Sequence, residues 1–221
     1  MKRSEINQIM REGAAFCERM NFRLPPFAFF HPEDWEGKAG EYDEVRDNML
    51  GWDITDFGKG DFRHTGLLIF TIRNGNFSDA KYVKPYAEKL LISDDGQVTP
   101  YHFHHKKMED IINRGGGNLI VKVYNRSEDD SLADTPVRVS VDGRNYDVPA
   151  GTEIRLTPGE SISLPTGMYH SFWGEGKVLV GEVSVINDDR VDNRFLEPVA
   201  RFPEIEEDET PLYLLGNEYP F

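Results

Sequence analysis

The sequence predicts a mainly β protein, an antiparallel barrel or sandwich preceded by one helix and a looped extension. From Leu67 onward, short runs with strand-like composition are separated by turn residues. Two Asp-Gly pairs, at 95–96 and 142–143, are typical of hairpin turns. Only the N-terminal segment repeats apolar residues at helical spacing. Short strands with few helices between them are typical of antiparallel barrels and sandwiches.

The N-terminal helix is predicted over residues 4–20, with Ser4 as its N-terminal cap. Pro25 and Pro26 prevent its continuation. The stretch 27–64 is irregular and rich in aromatic residues and aspartate. It either walls a pocket or packs as an extension on the following domain, and the sequence leaves both readings open.

The strand pattern divides the chain into a helical and looped extension (1–66), a β-barrel (67–195) and a C-terminal tail at the rim of the site (196–221). Nine strands are predicted, over residues 67–72, 86–93, 98–105, 118–125, 137–141, 145–150, 152–157, 161–165 and 177–186.

Composition excludes several classes of function. The formal net charge of −14 disfavours binding to nucleic acid or to an anionic membrane, and an uncharged small ligand suits it better. No apolar run reaches membrane-spanning length, and the N-terminus lacks the apolar region of a signal peptide. The single cysteine, Cys17, excludes an internal disulfide, so a reducing cytoplasm is expected.

The segment YHFHHKKMED, residues 101–110, contains three of the four candidate metal ligands. On a strand, His102 and His104 project to the same side, while His105 projects to the other. After a short turn, Glu109 begins the next strand and returns to the same point. His170, which follows a Pro-x-Gly turn, offers a fourth ligand. These four residues form the predicted metal site.

The glycine spacings around these residues match a known pattern. Gly96, His102, His104, Glu109 and Gly116 follow the first cupin motif. The second motif is matched by Gly159, Pro165, Gly167 and His170, with Gly174 where the pattern often has Asn. The chain therefore resembles the cupins, whose fold is an antiparallel jelly-roll β-barrel with one metal ion.

Three imidazoles and one carboxylate suit manganese, iron, cobalt, nickel or zinc better than magnesium or calcium. An ion that favours six ligands keeps two adjacent positions open, as catalytic ions do. A substrate with two neighbouring oxygens would chelate there. Sugar isomerisation, opening of a diketone or catechol by dioxygen, and ligand sensing all remain possible on these grounds.

Longer stretches resemble one family of cupins, the D-lyxose isomerases, over nearly the whole chain. These stretches are the N-terminal helix, GWDITDFG (51–58), KPYAEKLLI (84–92), TPYHFHHKKMEDIINRGGGNLIV (99–121), SLPTGMYHSFWGE (163–175), GEVSVINDDRVDNRF (181–195) and RFPEIEEDE (201–209).

The resemblance implies a divalent cofactor, with Mn²⁺ expected first, and a free sugar as substrate. It implies conversion of D-lyxose to D-xylulose, and of D-mannose to D-fructose, by proton transfer between C2 and C1. A metal on both oxygens would stabilise a cis-enediolate as a Lewis acid, and a carboxylate would move the proton.

Specific residues are implicated in these steps. Glu109 is a ligand whose free oxygen could take part, and Glu204 matches a family stretch in which a glutamate shuttles the proton. Lys107 would bind O1 or the enediolate charge. Glu182, an isolated carboxylate in an apolar strand, is expected to hold a sugar hydroxyl, support a ligand histidine, or serve as base. Arg201 would orient Glu204 or a hydroxyl.

Three rival functions stay open: a phosphosugar isomerase, an iron-dependent dioxygenase and a non-catalytic sugar-binding cupin. A phosphosugar isomerase would need clustered Arg or Lys, and the sequence near the motifs is not especially basic. A dioxygenase would have a more apolar pocket. A homodimer is also expected, because cupins tend to pair through sheet edges or exchanged N-terminal segments.

Overall fold

The computed structural model describes residues 1–220. The helices are α1 (Arg3–Arg19) and α2 (Asp43–Asp47), and two short 3-10 turns lie between them at Pro26–Phe29 and Pro32–Trp35. The strands are β1 (Gly51–Thr55), β2 (Leu67–Arg73), β3 (Tyr86–Ser93), β4 (Thr99–His104), β5 (Glu109–Arg126), β6 (Leu132–Ala133), β7 (Val137–Val141), β8 (Arg144–Val148), β9 (Glu153–Leu156), β10 (Ser161–Leu164), β11 (Met168–Val185) and β12 (Asn193–Phe195).

The strands form one antiparallel sheet in the order β1-β2-β3-β11-β5-β10-β7-β8. Two 18-residue strands, β5 and β11, pair along most of their length and form its spine. The short strands β4, β6, β9 and β12 attach beside this path. The predicted mainly β, antiparallel architecture is confirmed. Within residues 1–220 the end strands β1 and β8 do not pair with each other, so the barrel stays open.

Several strands differ in extent from the prediction. The sheet begins at β1, inside the segment 1–66 that was assigned to the extension, because its five residues gave too short a pattern to recognise. The spine strands β5 and β11 begin at Glu109 and Met168, well before the predicted 118 and 177. Asp142-Gly143 does form the β7–β8 hairpin turn. Asp95-Gly96 instead links β3 to β4, which are not paired.

Two apolar clusters hold the two faces of the sheet. Inside the barrel, residues such as Ile111, Val121 and Val180 are fully buried. Outside, α1 packs Ile6 and Met10 against the outward side chains of β2 and β3. The alternating pattern of the strands thus supplies two apolar faces, one for the core and one for the helix.

The predicted helix is confirmed, but its N-terminus is capped differently. Ser4 does not cap it; the Asp208 carboxylate accepts hydrogen bonds from the Ser4 N–H at 2.9 Å and the Ser4 hydroxyl at 2.8 Å. Arg3, which is buried, pairs with Glu207 at 2.6 Å and Glu218 at 2.5 Å. Acidic residues near a helix N-terminus also complement the helix dipole. The tail is therefore fastened to α1.

Cys17 lies on α1 among apolar side chains, where burial raises the pKa of its thiol to about 11. None of the helices in residues 1–220 has the length and apolar character needed to cross a membrane.

Candidate metal centre and its cavity

Three histidines meet inside the barrel, as the strand pattern predicts. His102 and His104 lie on the same side of β4, and His170 lies directly across from His102 on β11. Their side chains are buried, and one ring nitrogen from each lies within 4.8 Å of the others. Three buried histidines in this arrangement could bind a metal ion.

The second nitrogen of each ring already has a partner. The Nδ1 atoms lie 2.8 Å from the Pro100 carbonyl oxygen for His102, 2.8 Å from Asn193 Oδ1 for His104, and 3.1 Å from the Met168 carbonyl oxygen for His170. Because these partners only accept, the proton of each neutral ring belongs on Nδ1. Each Nε2 lone pair is then free.

The rings of the β4 pair are held neutral. Burial lowers the pKa of His102 well below its ordinary value, and its neighbours His170 and His104 lower that pKa further. Burial also lowers the pKa of His104, with a contribution from the Lys107 charge. Neutral imidazole is the form that binds metal ions.

Glu109, the first residue of β5, brings a carboxylate to the same point. Its Oε1 lies 3.3 Å from His104 Nε2 and 3.2 Å from His170 Nε2. Burial would raise the pKa of this carboxyl, but Lys107 and the histidines outweigh burial and hold it well below its usual range.

The lone pairs of His104 Nε2 and His170 Nε2 therefore face the ionised Glu109 Oε1 at van der Waals distance. Neither His104 Nε2 nor His170 Nε2 has a hydrogen-bond partner within residues 1–220. Buried polar atoms without partners are rare and call for an explanation. A cation between these atoms would satisfy all of them, and three imidazoles with one carboxylate suit a transition-metal ion.

Lys107 projects into the cavity from the turn between His104 and Glu109. Its Nζ lies 2.7 Å from Glu109 Oε2 and 2.8 Å from Glu182 Oε1. Burial would lower the pKa of Lys107, yet the two carboxylates raise that pKa above its ordinary value. The Asp192 carboxylate holds the turn by accepting the backbone N–H groups of Lys106 and Lys107 at 2.8 and 3.0 Å.

Glu182 faces the same cavity from β11 and is accompanied by a lysine that the sequence analysis missed. Lys89 on β3 is buried, and its Nζ lies 3.6 Å from Glu182 Oε1 and 3.8 Å from Asp189 Oδ1. The signal was available, since strand alternation places Lys89 on the same side as the apolar Ala87 and Leu91. A buried lysine needs a carboxylate partner.

Arg201 lies at the edge of the cavity, with different partners from those expected. Its guanidinium contacts the Asp53 carboxylate and lies 2.8 Å from Asp189 Oδ2, and among residues 1–220 it forms no ion pair with Glu204. Burial would raise the pKa of Asp189, but Lys89 and Arg201 hold it well below its usual range. Asp189 therefore stays ionised.

Two neighbouring cavities share this edge. The inner cavity, of about 50 Å³, is lined by His102, His104, Glu109, Lys107 and Glu182. The outer cavity, of about 370 Å³, is lined mainly by polar residues from the end of α2, the loops after β2 and β11, and the tail, with Asp53 of β1. Asp189 and Arg201 line both cavities. The outer cavity has the size of a small-molecule site.

Glu204 lies apart from this cluster. Its side chain is exposed and lines neither cavity, while its backbone carbonyl accepts a hydrogen bond from the Met1 amine at 2.7 Å. His105 and Lys106 are exposed in the turn after β4, and His31 and His64 are exposed outside the cavities.

Comparisons with known proteins agree with this arrangement. A sequence model of the D-lyxose isomerase family matches residues 1–219. A D-lyxose/D-mannose isomerase of Serratia proteamaculans is 52% identical over 99% of this chain and 98% of its own length. One from Escherichia coli O157:H7 is 50% identical over the same shares.

Solved structures show the same fold. L-ribose isomerase of Cellulomonas parahominis with L-ribose superposes with a TM-score of 0.61, at 17% identity, over 93% of this chain and 98% of that one. L-ribose isomerase of Acinetobacter sp. DL28 in complex with L-ribose gives a TM-score of 0.62 at 16% identity, with the same coverage. The family match and the two half-identical relatives settle the assignment: this chain belongs to the D-lyxose isomerase family.

Proposed function

We propose that this protein is an aldose–ketose isomerase that interconverts free D-lyxose and D-xylulose, and D-mannose and D-fructose. Membership of the D-lyxose isomerase family supports the activity, and the names of the two half-identical relatives support the sugars. The observation that carries the proposal is the convergence of three buried histidines and Glu109 beside a cavity that Lys107 and Glu182 also line.

His102, His104, His170 and Glu109 are the proposed metal ligands. Bound there, a divalent cation would supply Lewis-acid stabilisation to the C1 and C2 oxygens of the sugar. We propose Mn²⁺, with Co²⁺, Fe²⁺, Ni²⁺ and Zn²⁺ as alternatives that the same donors accept.

Glu182 is the proposed group that moves the proton between C2 and C1. It is a buried carboxylate that lines the inner cavity, whereas the exposed Glu204 lines neither cavity. The geometry therefore supports Glu182 as the base in place of Glu204. Glu109, on the other side of Lys107, is the second carboxylate within the cavity. A buried carboxylate exchanges its proton with bulk water less readily than an exposed one, which favours return of the same proton.

Lys107 is the proposed electrostatic partner of the reaction. Its ammonium is fixed between Glu109 and Glu182, so it donates toward both carboxylates and toward any oxygen that enters between them. A preorganised cation of this kind stabilises negative charge that develops on O1 or O2 of the enediolate. Arg201 and Asp189, where the two cavities meet, are the proposed contacts for the distal hydroxyls.

The charge arrangement supports a free sugar over a phosphosugar. Every cationic side chain that lines either cavity is paired with a carboxylate: Arg46, Lys89, Lys107, Arg190 and Arg201. A phosphate would need cations that are available to it. The density of charged groups also disfavours the apolar pocket of a dioxygenase.

A homodimer is proposed from the outer face of the sheet. Tyr86 on β3 is 43% exposed, and Val183 and Val185 on β11 are each 41% exposed. Tyr86 pairs with Val185, so these side chains form one apolar patch beyond the end of α1. A second copy would cover it. The reduced, buried Cys17 is consistent with the proposed cytoplasmic location.

The test uses protein stripped of metal and then supplied, or not, with Mn²⁺. D-lyxose, D-mannose and D-xylulose are offered separately, and aldose and ketose are quantified by chromatography. Conversion that depends on Mn²⁺ is expected for all three sugars. Absence of conversion of all three free sugars with every divalent ion tried would refute the proposed isomerase activity.

A further inference from the structure

The short strand β12 places one side chain against each histidine of β4. In the β12–β4 register Asn193 lies across from His104, and Phe195 lies across from His102. The Phe195 ring stacks on the His102 ring, with centroids 5.3 Å apart and planes at 29°. Residues directly across an antiparallel pair contact each other. The loop and strand after β11 therefore cover the histidine pair.

The three histidines differ in what fixes their protons. His102 and His170 each face a backbone carbonyl two residues earlier on their own strand, and no side-chain substitution removes that acceptor. His104 depends on a side-chain amide, with Asn193 Oδ1 at 2.8 Å. An amide can rotate and present its NH₂ group instead. The Asn193 N–H would then point at His104 Nδ1. Because Nδ1 would have to accept that hydrogen bond, the ring proton would move to Nε2.

Asp189 prevents that rotation. Asn193 Nδ2 donates to Asp189 Oδ1 at 3.2 Å, and an ionised carboxylate only accepts hydrogen bonds. Asp189 is itself anchored by Arg201 at 2.8 Å and Lys89 at 3.8 Å. With the NH₂ group directed to Asp189, the amide oxygen must face His104. Asp189, at the edge shared by the two cavities, thus sets the orientation of the Asn193 amide.

We propose that Asn193 and Asp189 are positioning residues that keep the His104 proton on Nδ1 and so leave Nε2 free for the divalent cation. This inference rests on the metal centre of the proposed function. It makes one ligand of the centre dependent on a hydrogen-bonded chain, His104–Asn193–Asp189–Arg201, that ends at the outer cavity.

The first test is Asn193→Ala, with Asp188→Ala as a matched control on the same loop. The dissociation constant of Mn²⁺ is measured by electron paramagnetic resonance of the free ion. Loss of an outer partner of a ligand histidine typically weakens metal binding by about 10- to 100-fold. We expect that loss for Asn193→Ala. Asp188 bonds only to Arg190 among side chains, so Asp188→Ala is expected to bind within about twofold of wild type.

Nitrogen-15 NMR of histidine-labelled, metal-free protein reads the tautomer directly. Wild type should show His104 protonated on Nδ1, while Asn193→Ala and Asp189→Asn should show a mixture of tautomers. His102 and His170, with backbone acceptors, should not change. A general loss of packing would disturb all three rings together, so the selective change distinguishes positioning from misfolding.

A charge swap gives the sharpest comparison. In Asp189→Asn the new amide can donate as well as accept, so it no longer fixes the orientation of the Asn193 amide, and Mn²⁺ binding should weaken. Adding Asn193→Asp lets the new amide at 189 donate to a carboxylate at 193, which then accepts from His104 Nδ1. Arg201 and Lys89 lack their former partner in both proteins. If the double variant recovers Mn²⁺ affinity and the Nδ1 tautomer, the recovery is therefore due to the restored hydrogen bond between residue 193 and His104 Nδ1.

The inference falls if Asn193→Ala binds Mn²⁺ as tightly as wild type, or if its His104 tautomer is unchanged. It also falls if the double variant recovers neither affinity nor tautomer. These outcomes leave the proposed function standing, since wild type still binds metal. Wild type that binds no divalent ion would overturn both.

Discussion

The Lys107 ammonium lies 2.8 Å from Glu182 Oε1 in the interior of the barrel, and both side chains are buried. The same ammonium contacts Glu109, so one cation holds two carboxylates that project from the neighbouring strands β5 and β11. Lys107 thereby fixes the position of Glu182, the proposed proton-transfer group.

Glu182→Gln should therefore retain metal and lose turnover. General acid–base groups contribute about 10²- to 10⁴-fold, and a fall of kcat in that range is expected with metal content unchanged. Glu204→Gln is the matched comparison, because Glu204 is exposed and lines neither cavity. Kinetics with D-lyxose decide between the two. A variant at 204 that keeps its metal and loses turnover would restore the assignment implied by the sequence.

His170→Ala should abolish both metal content and activity. His170 is a buried side chain whose Nε2 has no hydrogen-bond partner within residues 1–220, so its removal would take one of the four proposed ligands from the centre. Metal content is measured by mass spectrometry after dialysis against Mn²⁺. His105→Ala removes an exposed neighbour of the motif and should retain metal. Equal metal content in the two variants would contradict the ligand set.

Metal-free protein should lose stability as the pH falls below about 6.5. The folded state lowers the pKa of His102 and of His104, so the unfolded chain binds protons there first. Each such histidine costs about 1.4 kcal/mol per pH unit below its unfolded pKa. The free energy of unfolding is measured by urea titration between pH 6.5 and 5. His102→Gln should show a shallower slope and His105→Gln the wild-type slope; identical slopes would disprove this origin.

The apolar patch on β3 and β11 predicts an association-defective variant. Val183→Glu combined with Val185→Glu places two charges where a second copy would bury apolar surface, so dimers should dissociate. Light scattering coupled to size-exclusion chromatography gives the mass. Val98→Glu substitutes an exposed valine beyond the other end of β3 and should leave the mass unchanged. A double variant that remains dimeric would place the interface elsewhere.

Two of the motif glycines, Gly116 and Gly159, should differ in their tolerance of a methyl group. Gly116 has a φ of 93°, and a Cβ there would lie 2.3 Å from the Lys177 carbonyl oxygen. Gly159 has a φ of 102° but open space around it. Gly116→Ala should thus lower the melting temperature more than Gly159→Ala, which bears only the backbone strain of about 1–2 kcal/mol. Equal melting temperatures would show that the spine relaxes around the methyl group.

The ligand candidates could be found from sequence because their pattern is local. Alternation along β4 and a short turn before β5 bring His102, His104 and Glu109 together within eight residues, and the second motif supplies His170. The main β architecture was equally accessible, since turn residues separate its strands. These features depend on neighbours in the chain, where periodicity is informative.

Two of the supporting residues could not be found in this way. Asp189 and Asn193 come from the loop and strand after β11, and only the tertiary pairing brings them to the site. The burial of Lys89, by contrast, could have been inferred from the alternation along β3. Arg201 was expected beside Glu204, its neighbour in sequence, but it turns to Asp53 on β1 instead. Glu207 and Asp208, in the acidic run after residue 203, bind the start of α1, a contact between the two ends of the chain that local sequence cannot indicate.

The attachment of Arg3 to Glu207 and Glu218 has a consequence during synthesis. A ribosome adds about 5–20 residues per second, so the partners of Arg3 emerge roughly 10–40 s after it does. Throughout that interval the apolar face of the newly synthesised α1 must avoid aggregation with other nascent chains. Translation that stops before residue 201 would release a polypeptide that lacks Arg201 and also lacks Glu207 and Glu218, the partners of Arg3. Such truncated products should be cleared by proteolysis instead of accumulating as partly active enzyme.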